Sequence, residues 1–207
     1  MMMIKEFGGK IASVWDGMRP VTKNMLVGAL QSSNSVQPNN KTTKFSYDAH
    51  ADWEVSSLLA ALDEQSKSKE ARADETKFFE ITQLANACAN VLEAQSASAE
   101  VFIQLAERVI KDNNYSRLDK LADRLAERYS SGEIAEIIRQ TELPQIRAIA
   151  FETLAMMPIP FILPLLDDPL YADIAIVSLE QKAYEFDSDE ARDILDQIDD
   201  EQELTTD

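Results

Sequence analysis

The sequence predicts an all-α protein, and three observations carry that expectation. Apolar residues recur at three- and four-residue spacing along most of the chain, as in Val55, Leu58, Leu59 and Leu62, which places them on one side of a helix. Only five glycines interrupt 207 residues, and stretches such as "LANACANVLEAQSASAEVFIQLAERV" are rich in the Ala, Leu, Glu and Gln that favour helix. Prolines stand where helices begin, at Pro144, Pro160 and Pro169, because the first turn leaves its amides without intrahelical partners anyway. The expected architecture is a short α-solenoid or an irregular multi-helix bundle with a flexible N-terminal arm.

Residues 1–46 are expected as an arm and linker. Ile4, Phe7, Ile11, Val14, Trp15 and Met18 fall near one side of a helix that Gly8 and Gly9 interrupt, with Lys5, Lys10, Arg19 and Lys23 around it. Two readings stay open: an amphipathic element that docks on a partner or membrane surface, or an irregular arm that packs on its own body. Residues 32–43, "SSNSVQPNNKTT", lack an apolar period and read as the linker.

A helical domain is expected over residues 47–200. Asp48 or Asp52 can start its first helix. A second helix turns Phe78, Ile81, Leu84, Ala85, Cys88, Val91 and Leu92 inward, and a third does so with Val101, Leu105, Ala106 and Val109. Asn113 and Asn114 end that third helix, and Ser116 can cap the next, whose apolar set is Leu118, Leu121, Ala122, Leu125 and Tyr129. Ile134, Ile137 and Ile138 mark a short helix before Pro144. Beyond it, Ile146, Ile149, Ala150, Thr153 and Leu154 share one side, and Leu170, Ile174, Val177, Ser178 and Tyr184 share another. Asp168 is spaced to cap the helix at Pro169, and Asp187 with Glu190 to form a capping box before a last helix that carries Ile194, Leu195 and Ile198. Residues 201–207 form an acidic tail.

The stretch "QIRAIAFETLA", "FILPLLDDP" and "LYADIAIVSLEQKA" resembles the HEAT and armadillo class of α-solenoid repeats, over about the last third of the chain. The resemblance implies stacked helix pairs that hold a partner protein on one face. It implies no catalytic residues and no cofactor.

Charge narrows the function. Acidic residues outnumber basic ones 37 to 20, and residues 163–207 alone hold fifteen against two. Such a field disfavours nucleic acid, whose phosphates need cations, and suits another protein with a basic surface. It also serves solubility alone. The residues expected to carry an interaction are Asp199, Asp200, Glu201 and Glu203 at the acidic end, and the basic stripe Arg117, Lys120, Arg124 and Arg128.

Motifs for chemistry are missing from the sequence. There is no phosphate loop, no paired histidine motif and no glycine-flanked nucleophilic serine. His50 is the only histidine and is expected on the surface or at a helix end. Cys88, the only cysteine, reads as a buried thiol. The carboxylate pairs Asp63 and Glu64, Asp167 and Asp168, and Asp199 and Asp200 are what chance gives in a chain this acidic, and Asp167 and Asp168 suit a helix start better than converging ligands. The N-terminus does not read as a signal peptide, and the apolar runs are too short to cross a bilayer, so the cytoplasm is the expected compartment. The leading expectation is a non-enzymatic interaction or adaptor protein with an acidic helical surface and no cofactor or metal. The alternatives are a peripheral membrane protein docking through residues 1–30, and a carboxylate-dependent metal-binding protein or enzyme. The spacing does not set the oligomeric state.

Overall fold

The computed structural model describes residues 4–33 and 47–206. These residues form helices and no strand, so the fold is the expected all-α class, an irregular multi-helix bundle. The expected linker gives Ser32 and Ser33 to the end of a helix, and its residues 34–43 lie outside the described residues. Two compact units divide the chain, Met1–Ser96 and Ala97–Asp207.

In the first unit a 3-10 turn, Ile4–Phe7, precedes α1 (Gly9–Gly17) and α2 (Pro20–Ser33). Then follow α3 (Ala49–Gln65), the short α4 (Lys69–Ala73) and α5 (Glu75–Gln95). The helices α3 and α5 are the central pair, with α1 against α3 and α2 against both. Val55, Leu58, Leu59 and Leu62 from α3 and Ile81, Leu84, Cys88 and Leu92 from α5 are buried, on the phase their spacing predicts. Phe78 departs from that phase and is 40% exposed.

The N-terminal residues are helical and pack on their own unit. Ile4, Phe7, Ile11, Met18 and Leu26 are buried there, with Val14 and Trp15 half-buried. Gly8 links the 3-10 turn to α1 at a φ of 149°, where the Gln65 side chain would lie only 3.1 Å from any added Cβ. Only glycine meets both conditions without strain.

Glu54 fastens this segment. Its carboxylate is 1% exposed and accepts from the Arg19 backbone N–H at 2.6 Å, from Arg19 Nε at 3.1 Å and from the Thr22 hydroxyl. An acidic side chain from α3 thereby ties down the residue before α2 and a side chain in its first turn. The Arg19 fork also donates to both Asp48 oxygens, at 2.9 and 2.7 Å, while Asp48 caps α3 through the Ala51 amide.

The second unit contains α6 (Ala99–Lys111), α7 (Tyr115–Arg128), α8 (Ser131–Gln140) and α9 (Pro144–Met156). After them come α10 (Ile159–Ile162), a 3-10 turn Leu163–Leu165, α11 (Ala172–Tyr184) and α12 (Asp189–Thr206). The helix α6 lies on α7 and α8, α8 on α9, α9 on α11, and α11 on α12. Ile134, Ile137, Ile146, Ala150, Leu154 and Leu179 are fully buried, and Phe102 meets Tyr129 edge to face at 5.7 Å.

Several helix starts differ from their sequence signals. Pro144 occupies the first turn of α9 as expected, whereas Pro169 lies in a turn and α11 begins at Ala172. Asp168 caps that turn through the Leu170 amide at 2.9 Å instead of starting a helix. Asn114, not Ser116, caps α7. Before α12 the cap is Ser188, which accepts from the Ala191 amide, while Asp187 adopts a φ of 54° and pairs with Arg192. At α7 and α12 a neighbouring short polar side chain reaches the same orphan amides, so spacing alone does not choose between them, whereas α11 begins with no side-chain cap.

Candidate interaction groove

The largest departure from expectation lies in α11. The sequence reading turns Leu170, Ile174, Val177, Ser178 and Tyr184 inward; the structure leaves Leu170 66%, Val177 45% and Tyr184 76% exposed. Of that set Ser178 is buried and Ile174 half-buried, and the helix buries Ala175, Ser178, Leu179 and Ala183. Three of these four are small, so α11 can come close to its neighbours and its larger apolar residues remain outside. The Ser178 hydroxyl donates to the Ile174 carbonyl at 2.8 Å, and Thr153 on α9 donates to Ile149 at 2.8 Å. Each buried hydroxyl is satisfied within its own helix.

Between α9 and α11 runs an open groove of about 690 Å³. Phe151 from α9 and Val177 and Tyr184 from α11 give it apolar lining. Its charged lining residues are Glu152 on one wall and Glu180 and Glu185 on the other, with no basic side chain among them. Glu185 accepts from Gln181 at 2.8 Å, while Glu152 and Glu180 are exposed.

Three polar clasps position the α11 wall. Before its first turn, the Tyr171 hydroxyl donates to Glu136 at 2.9 Å. The Arg139 guanidinium beside Glu136 holds that carboxyl down to about 2, against the push of partial burial, and accepting the phenol's hydrogen bond raises Tyr171 in turn. Along the helix, Lys182 donates at 3.0 Å to the carbonyl oxygens of both Ala155 and Met157, at the end of α9. At its C-terminus, Arg192 of α12 donates to the Ala183 carbonyl at 2.9 Å. The last two put cations on helix C-termini, where the backbone dipole favours them.

The residues singled out in the sequence lie elsewhere in this unit. Arg117, Lys120, Arg124 and Arg128 are all on α7, with Arg117 and Arg124 half-buried and Lys120 and Arg128 exposed. Asp199 and Asp200 are exposed near the end of α12; Glu201 and Glu203 follow on the same helix, their side chains outside the description. Ile194, Leu195 and Ile198 are half-buried on α12, which lies against α11. In the first unit His50 is exposed and meets Trp53 edge to face at 5.9 Å, and Cys88 is buried in α5.

Among the described residues no three His, Cys, Asp or Glu side chains gather to hold a metal ion, and no helix is long and apolar enough to cross a membrane. No family model, curated protein or solved structure matches the chain.

Proposed function

We propose that this chain is a non-enzymatic protein-interaction module, an adaptor that receives a basic partner protein in the groove between α9 and α11. The observation that carries the proposal is the placing of Glu152, Glu180 and Glu185 around exposed apolar side chains, with no cation in the lining. Apolar contact supplies affinity and the carboxylates select the sign of the partner's charge. The wider field agrees. Residues 97–207 hold 25 acidic and ten basic residues, a formal charge of −15, whereas residues 1–96 hold twelve and ten. Asp199, Asp200, Glu201 and Glu203 add to that field and speed the encounter by long-range attraction. The resemblance of residues 143–200 to HEAT-like repeats, read from the sequence alone, implies the same role, since such repeats hold a partner on one face of stacked helix pairs.

The test uses a fluorescent lysine-rich peptide that also contains leucine, titrated with the full chain across a series of salt concentrations. The parent should bind with an affinity that falls as salt rises. The variant Glu152→Gln, Glu180→Gln, Glu185→Gln should bind about tenfold more weakly, with a shallower salt dependence. An equal charge change at Asp112→Asn, Asp123→Asn and Glu127→Gln, exposed on and before α7, should have a smaller effect. Equal weakening by the two triple variants would overturn the groove as the site.

A further inference from the structure

We infer that the occupant of this groove is an amphipathic, basic α-helix, an inference that rests on the reading of the groove as a docking site. Both walls are α-helices, whose central backbone groups are paired within their own turns. The groove therefore offers no strand edge to which an extended peptide could add, and recognition falls to side chains. A helical occupant satisfies its own backbone and presents only side chains in return.

The spacing of the apolar lining matches that mode. Val177 and Tyr184 are seven residues apart on α11, which puts them on one side of the helix and about 10.5 Å apart along its axis. Phe151 faces them from α9. Glu180 and Gln181, three and four residues on from Val177, lie between it and Tyr184 on that side, so a partner helix with apolar residues at i and i+7 and a lysine or arginine between them repeats the same two-turn step along α11. Lysines or arginines among and beside those apolar residues then meet Glu152 on the α9 wall and Glu180 and Glu185 on the α11 wall. A strictly apolar helix would leave these carboxylates partly desolvated and unpaired, and a strictly basic one would leave Val177 and Tyr184 in water.

Charge also argues against a second copy of this chain as occupant. Two chains of formal charge −17 repel as they approach, and residues 97–207, with ten basic residues against 25 acidic, offer the groove carboxylates few cations.

Three peptides of identical composition and charge separate the outcomes, each about 18 residues long so that docking can support a helix. The first places its leucines on one helical side with lysines flanking them. The second scrambles the order, and the third keeps the first order but moves its single proline from an end to the middle. The first should bind the full chain about tenfold or more tightly than the other two and gain helical circular dichroism on binding. Val177→Ser with Tyr184→Ser, both at exposed positions, should remove that preference while leaving the urea midpoint unchanged. If all three peptides bind equally, and all still lose affinity when Glu152, Glu180 and Glu185 are neutralised, the helical occupant is overturned and the acidic docking site stands. If no peptide responds to that neutralisation, the docking site itself fails. A parent dimer seen by light scattering that dissolves in the Val177→Ser, Tyr184→Ser variant would give the groove to a second copy and overturn the inference.

Discussion

Lys182 reaches from α11 to the carbonyl oxygen of Ala155, 3.0 Å away in the last turn of α9, and the same ammonium holds Met157 at the same distance. One side chain thus joins the two walls of the groove and satisfies carbonyls that the helix end leaves without an amide. Replacing it with methionine keeps most of the apolar stem and removes the donor. Lys182→Met should therefore cost about 1.5–3 kcal/mol, the range for hydrogen bonds that involve a charged group. The measurement is urea unfolding at unchanged denaturant dependence. A loss below about 0.5 kcal/mol would show that water replaces the clasp without penalty.

The Glu136 clasp predicts a dependence on acid. Its folded pKa lies at about 2, below the ordinary 4.5, because Arg139 donates to it and Gln140 and Tyr171 add hydrogen bonds. A lowered carboxyl stabilises the fold above its unfolded value, and that contribution is lost as pH falls from about 4.5 toward 2. Unfolding midpoints across this window should fall less steeply for Glu136→Gln than for the parent. The variant should be the less stable of the two at neutral pH. Parallel curves would mean that the carboxylate gains nothing from its partners.

Packing gives a paired prediction from two leucines. Leu154 is fully buried between helices, whereas Leu170 is 66% exposed in the turn before α11. Leu154→Ala should cost about 2–5 kcal/mol through lost transfer energy and a cavity. Leu170→Ala should stay within about 0.5 kcal/mol of the parent. Chemical denaturation of both variants checks the pair, and comparable losses would show that the turn is buried in solution.

These two leucines also mark where the sequence was legible. The inward side of α9 was readable because most of its spaced residues lie on its buried side: Ile146, Ala150, Thr153 and Leu154 are buried and Ile149 is half-buried. The same held for α3, α6 and α8, whose spaced residues are all buried. In α11 size and burial separate. Ala175, Ser178, Leu179 and Ala183 also recur at three- and four-residue spacing, and that signal was present in the sequence, but Leu170, Val177 and Tyr184 outweigh it when residues are ranked by size. Groove and phase error are one fact. Glu152, Glu180 and Glu185 are not legible for another reason: in a chain with 37 acidic residues, no spacing marks the three that α9 and α11 with its C-terminal cap bring to one groove.

The N-terminal segment of the first unit gives the last prediction. Glu54 is 1% exposed and supplies acceptors to the Arg19 amide, the Arg19 side chain and the Thr22 hydroxyl. Burial pushes its carboxyl up, but the hydrogen bonds from Thr22 and Arg19 outweigh that push and hold it below the ordinary value. Glu54→Ala removes every acceptor at once and leaves the buried Thr22 hydroxyl and the Arg19 amide, just before α2, without their acceptor, at about 1–3 kcal/mol for each group left without a partner. Glu54→Gln keeps one oxygen for the Arg19 amide and should cost less. Because Glu54 fixes the start of α2 to α3, its loss should also loosen residues 4–33 before the rest of the unit, so trypsin should cut at Lys10 or Lys23 earlier in Glu54→Ala than in the parent. The exposed Glu70→Ala is the matched control. Equal cleavage rates at these two sites in Glu54→Ala and Glu70→Ala would mean that the apolar contacts of Ile11, Met18 and Leu26 hold the segment without the carboxylate.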